Sequence, residues 1–86
     1  MFDDLSSRNL KHIHKHLAAF QALDPSISLE DVVQLGQHIA SRPENLIGTP
    51  GGRKLFEEIV LMGSQPIMVR VVLNPSGRLR SVHVRK

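Results

Sequence analysis

The chain has 86 residues and a net charge of +3, enough for one domain with one core that removes roughly 60–65% of its unfolded surface from water. Three Phe with no Trp or Tyr argue against the aromatic platforms on which RNA-binding sheets stack bases. The absence of Cys excludes a disulfide scaffold, a thiolate zinc site and a cysteine nucleophile. In chain order, Leu10, Ile13, Leu17 and Phe20 recur at helical spacing, with Leu5 on a neighbouring position. They predict a first helix from about Asp4 to Leu23, capped by Asp3, Ser6 or Ser7 and ended by Asp24-Pro25. Ser28 opens a second helix, with Glu30 and Asp31 in its first turn. Its buried side comes from Val32, Val33, Leu35 and Ile39, and it ends near Ser41.

Residues 42–52 hold Pro43, Gly48, Pro50, Gly51 and Gly52 and read as a loop within one domain. Beyond them the period changes. Ile67, Val69, Val71 and Leu73 alternate with Met68, Arg70, Val72 and Asn74, the pattern of a strand. Asn74-Pro75-Ser76-Gly77 is a turn, and Leu79 to Arg85 forms the return strand. The segment from Arg53 to Leu61 fits helix or strand. The turn-like Met62-Gly63-Ser64-Gln65 favours a strand. The expected fold is α+β: two N-terminal helices (about 4–41) on a C-terminal antiparallel meander (53–85) of three clear strands, with room for a fourth. No apolar run approaches the roughly 20 residues of a membrane span, and no signal-peptide pattern opens the chain.

Charge is divided along the chain. Residues 1–50 hold four Lys/Arg against six Asp/Glu, whereas residues 51–86 hold seven against two, with no acid after Glu58. A basic half on a small domain suggests an anionic partner, most often nucleic acid. Two clusters in this frame could carry chemistry. In Lys11-His12-Ile13-His14-Lys15-His16, a helix places His12 and His16 on one face, at the flank of the buried stripe. Zinc could use such a pair, but Ile13 stands where a zinc helix carries Glu, and the positive neighbourhood disfavours a cation, so no metal is expected.

In the last strand, alternation places Leu79, Ser81, His83 and Arg85 on one face. It places Arg78, Arg80, Val82 and Val84 on the other, with the two valines in the core. His83 is a candidate acid–base group, Arg85 can hold a phosphate in two places, and Ser81 can donate or accept a hydrogen bond. Each cluster also has a plainer explanation, as surface histidines on a helix and as gatekeeping charges on an edge strand. Metal-free RNA cleavage needs a base for the 2′-hydroxyl, an acid for the leaving 5′-oxygen and cations for the phosphate, all of which these side chains provide. No Ser/His/Asp arrangement, P-loop or Rossmann glycine pattern is present. Gly48-Thr49-Pro50-Gly51-Gly52 is followed by Arg53-Lys54 and reads as a flexible loop with a basic rim.

Several runs resemble C-terminal toxin domains of filamentous-haemagglutinin-like contact-dependent growth inhibition proteins. They are Arg53-Lys54-Leu55-Phe56-Glu57-Glu58-Ile59-Val60, Val69-Arg70-Val71-Val72-Leu73-Asn74-Pro75-Ser76-Gly77 and Leu79-Arg80-Ser81-Val82-His83. Lys11-His12-Ile13, Lys15-His16, Phe20 and Ser28-Leu29-Glu30-Asp31-Val32 look like the helices of those domains. These toxins belong to the barnase/EndoU/colicin/RelE group of small metal-independent ribonucleases. The resemblance implies helices on an antiparallel sheet and an endoribonuclease, often a tRNase, without cofactor. It implies a chain that is monomeric until a cognate immunity protein, expected to be acidic, neutralises it. Such a domain is part of a larger secreted or cell-surface bacterial protein and acts in the target cell's cytoplasm.

Residue by residue, the resemblance implies Lys15, His16, Ser81, His83 and Arg85 as the active-site positions, and it indicates where the site lies more than the role of each side chain. The expected mechanism uses His16 and His83 as the acid–base pair and Lys15 and Arg85 as transition-state cations. His12 is a weaker candidate for the same site, and with the basic residues Arg53, Lys54, Arg78 and Arg80 it is expected to bind RNA. Two alternatives fit the same residues: a RelE-type mRNA interferase acting on the ribosome, and a non-catalytic basic module that binds RNA or an acidic protein.

Overall fold

The computed structural model describes the backbone of residues 7–85 and the side chains from Lys11 to Arg85. Leu5 and the expected caps Asp3 and Ser6 lie outside the described residues, as does the side chain of Leu10. The described part has three α-helices followed by a four-stranded antiparallel sheet. The helices are α1 (Ser7–Lys15), α2 (Leu17–Leu23) and α3 (Leu29–Ala40). The strands are β1 (Leu46–Gly48), β2 (Lys54–Met62), β3 (Gln65–Leu73) and β4 (Leu79–Val84), in that order across the sheet. The expected α+β arrangement is present. The ambiguous segment after Arg53 is a strand, and the fourth strand is a short one inside the expected loop 42–52.

The expected single helix from Asp4 to Leu23 is replaced by two. His16 has helical-to-bridging torsions (φ −97°, ψ −1°) and its N–H donates to the Ile13 carbonyl, 3.0 Å away, three residues back. This tighter turn redirects the chain, so that Ile13 and Phe20 are both fully buried although they lie on different helices. α3 begins with a reciprocal cap. The Asp31 N–H donates to Ser28 Oγ (3.1 Å), and the Ser28 N–H donates to Asp31 Oδ2 (3.0 Å).

The core joins Ile13, Phe20, Val32, Val33 and Ile39 from the helices to Phe56, Met62, Val69, Val71, Leu79 and Val82 from the sheet. Close packing of α3 on β4 depends on Gly36. A Cβ there would overlap Val82 Cγ2 and stand 3.3 Å from Leu79 Cδ1. Gly36→Ala therefore destabilises the protein by about 1–3 kcal/mol, despite the roughly 1 kcal/mol by which helices favour alanine. The midpoint of chemical denaturation measures this, and in a Val82→Ala background Gly36→Ala is expected to cost less than in the wild type.

Two connections set the register. Gly63 and Ser64, both at positive φ (56° and 74°), form a two-residue hairpin turn that pairs Met62 with Gln65. Glu57 thereby stands opposite Arg70. Between β3 and β4 the ladder slips by one residue: Val72 faces Ser81, whereas Leu73 faces Leu79. Arg80 is the extra residue of a bulge. This corrects the simple alternation, which put Leu79 on the face of Ser81 and His83. Leu79 is 4% exposed and packs in the core beside Val82.

Candidate active site at the edge of the sheet

Beyond the bulge, alternation holds. Val82 is fully buried, and His83 stands opposite Arg70 on the other face of the sheet. Glu57, Arg70 and His83 therefore form one row across β2, β3 and β4. Arg85 follows β4 and donates its N–H to the Met68 carbonyl at 2.9 Å. Its guanidinium joins the row, with Nη1 donating to Glu57 Oε1 at 3.2 Å. Arg70 grips the other oxygen of the same carboxylate, with Nε 2.9 Å and Nη2 2.8 Å from Oε2. The Glu57 side chain is only 10% exposed, against 29% for Arg70 and 53% for Arg85. One largely buried carboxylate thus fixes two more accessible guanidinium groups.

His16 reaches this row from the break between α1 and α2. Its ring centroid is 5.2 Å from that of His83, with the ring planes tilted by 37°. β4 is an edge strand, so a side chain from the helices can meet His83 at that edge. Nδ1 of His83 is buried and has no hydrogen-bond partner among the described residues. An imidazolium would place an unpaired N–H there, so the site favours the neutral ring. The His83 pKa is accordingly lowered, first by desolvation and then by the charges of His16 and Arg70, with Glu57 opposing them. The His16 pKa is lowered too, by desolvation and then by Lys15 and His12. Each ring resists protonation, and a proton on His16 makes one on His83 harder to add. The pair therefore passes through a state carrying one proton, with one imidazole as acid and the other as base.

Other expected residues are placed as follows. Lys15 is exposed and lies close enough to lower the His16 pKa. Ser81 is half-buried opposite Val72, two residues before His83. His12 is half-buried, and among the described residues no group of three or more His, Cys, Asp or Glu could hold a metal ion. Arg53, Lys54 and Arg78 stand apart, at the end of the sheet that carries the β3–β4 turn. Arg80 occupies the bulge between that turn and the row.

Sequence reasoning missed Glu57 and Arg70 as site residues. Each is a charged residue within an otherwise largely apolar strand, and the Gly63-Ser64 turn pairs the two strands so that they meet. The row is bordered by exposed apolar side chains on its own face of β2: Ile59 is 62% exposed and Leu61 73%. No protein-family model, curated protein or solved structure matches the chain.

Proposed function

We propose that the protein is a metal-independent endoribonuclease of the toxin type, cleaving tRNA by histidine acid–base chemistry. The observation that carries this reading is the His16–His83 pair, 5.2 Å apart and beside a row of two arginines. In the reaction, the neutral imidazole takes the 2′-hydroxyl proton as that oxygen attacks phosphorus. The protonated imidazole gives its proton to the departing 5′-oxygen. The products are a 2′,3′-cyclic phosphate and a 5′-hydroxyl end. Arg70 and Arg85 stabilise the charge that builds on the phosphate oxygens, and Glu57 keeps them in position. Lys15 adds positive charge at the helix side, and Ser81 extends the polar face.

A second assignment of the base is favoured by the row itself, in which Glu57 and His83 stand on one face on either side of Arg70. In that version Glu57 takes the 2′-hydroxyl proton and His83 is the acid. The two versions part on His16→Ala, which is severe in the first and mild in the second.

The proposed partner beyond RNA is an acidic immunity protein. Exposed Ile59 and Leu61, next to the arginine row, support a protein partner on that face. The proposed setting is a larger bacterial surface protein whose toxin domain acts in the cytoplasm of a neighbouring cell. Among the described residues, no helix is long and apolar enough to cross a membrane.

Incubating the protein with bacterial tRNA in the presence of a chelator tests the proposal. The expected result is discrete cleavage with cyclic-phosphate ends. Activity that the chelator abolishes would overturn the metal-independent mechanism.

A further inference from the structure

We propose that the cleft between the end of α3 and the β3–β4 turn is a second RNA subsite, which takes one nucleobase while the basic residues around it hold neighbouring phosphates. This inference rests on the ribonuclease reading for its choice of ligand. The cleft has a volume of about 310 Å³ and is lined by Gln37, Ser41, Leu73, Ser76, Arg78 and Leu79, among others. That volume lies at the small end of ligand sites and suits one base better than an extended peptide.

Its chemistry is graded. Leu73 and Ala40 supply apolar surface for the flat face of a ring, over a floor made by buried Leu79. Gln37 brings a carboxamide, a donor and an acceptor together, which suits the edge of a base. Ser41 Oγ donates to the His38 carbonyl at 2.6 Å, so its oxygen is left as an acceptor. The C-terminal end of α3 forms one wall, and the partial negative charge of a helix C-terminus repels a phosphate placed against it. A neutral base therefore belongs inside and its phosphates outside.

The outside is basic. Arg78 lines the cleft and is exposed. Lys54 pairs with Leu73, itself a lining residue, and Arg53 precedes it. The loop leading to them lies against the turn, since a Cβ on Gly52 would be 3.5 Å from Pro75. Among the described residues none of Arg53, Lys54, Arg78 and Arg80 is in an ion pair; the pairs engage Arg42, Arg70 and Arg85.

Along β4, Leu79 and His83 are four residues apart, about 13 Å at strand rise, with Arg80 on the bulge between them. Leu79 faces the helices and His83 the opposite side of β4, so an RNA seated on the histidine pair would reach this cleft by passing around the β4 edge at Arg80. The subsite thus serves substrates longer than a dinucleotide.

Binding of tRNA to the His83→Ala protein, followed by fluorescence anisotropy over a salt series, tests this without cleavage. Adding Arg78→Ala is expected to weaken binding about tenfold and to reduce the salt slope by about one phosphate. Adding Gln37→Ala, an exposed position on α3, is expected to weaken binding while leaving the slope unchanged. Unchanged affinity in the Gln37 variant would reduce the cleft to a basic patch and overturn the base subsite, as would unchanged affinity in the Arg78 variant. Failure of the ribonuclease reading is read separately: a protein that cleaves no RNA yet shows both effects keeps the subsite and loses the catalytic assignment.

Discussion

Under the proposed ribonuclease mechanism, replacing His83 with alanine is expected to lower kcat/KM for RNA cleavage by about 10²–10⁴-fold, the usual contribution of a positioned acid or base. The fold survives the change. β4 is held to the core by Leu79 and Val82, which are 4% and 0% exposed, whereas His83 is on the opposite face with an unpaired buried Nδ1. Removing that nitrogen also removes a desolvated group, so the denaturation midpoint stays the same or rises slightly. Cleavage by the variant at the unaltered rate would remove His83 from the mechanism. A parallel collapse of stability would mean that the ring is a packing element.

Arg70→Ala is the second large effect. Under the proposed mechanism it removes a guanidinium that stabilises phosphate charge, and it is expected to cost about 10²–10³-fold in kcat. Unlike the histidine change it also costs stability. The Glu57 carboxylate, only 10% exposed, is left with Arg85 Nη1 at 3.2 Å as its remaining ion-pair partner. Leaving such a group short of a partner costs about 1–3 kcal/mol. Arg70→Lys rescues neither fully. Arginine meets Glu57 through both Nε and Nη2, and a single ammonium cannot reproduce that two-point contact. Kinetics at a temperature where both variants are folded separates the catalytic loss from the unfolding loss. A wild-type kcat in Arg70→Ala would make the arginine structural only.

The helices and strands were legible because their periods are clean. The Ser28 cap with acids behind it opens α3, and β-branched alternation marks β3. The break at His16 was not legible. The stripe Ile13, Leu17, Phe20 suits an unbroken helix, and only packing against β4 and α3 decides that the chain must turn there.

The face carried by Ser81, His83 and Arg85 could be read from alternation, but its neighbours could not. That depended on the register between strands. A ladder that kept the Leu73–Leu79 pairing along its whole length would place Val82 opposite Arg70 and turn His83 toward the core. The extra residue at Arg80 prevents this, and no local sequence signal announces a bulge at an arginine. For Glu57 and Arg70 the signal existed, in the two-residue turn Gly63-Ser64, the single charge of β3 and the acid on the non-core face of β2. It became informative only with the register fixed.

The central claim is that two neighbouring imidazoles, each of which resists protonation, exchange protons with RNA. The pH dependence of kcat/KM on tRNA tests it most directly. Both pKa values are lowered from 6.5, so the state with one proton on the pair is most populated on the acid side of that value. The account predicts a bell-shaped profile with its maximum below pH 6.5. His83→Ala should abolish the bell along with most of the rate. A rate that rises without a maximum from pH 5 to pH 9, or a profile unchanged in His83→Ala, would contradict it.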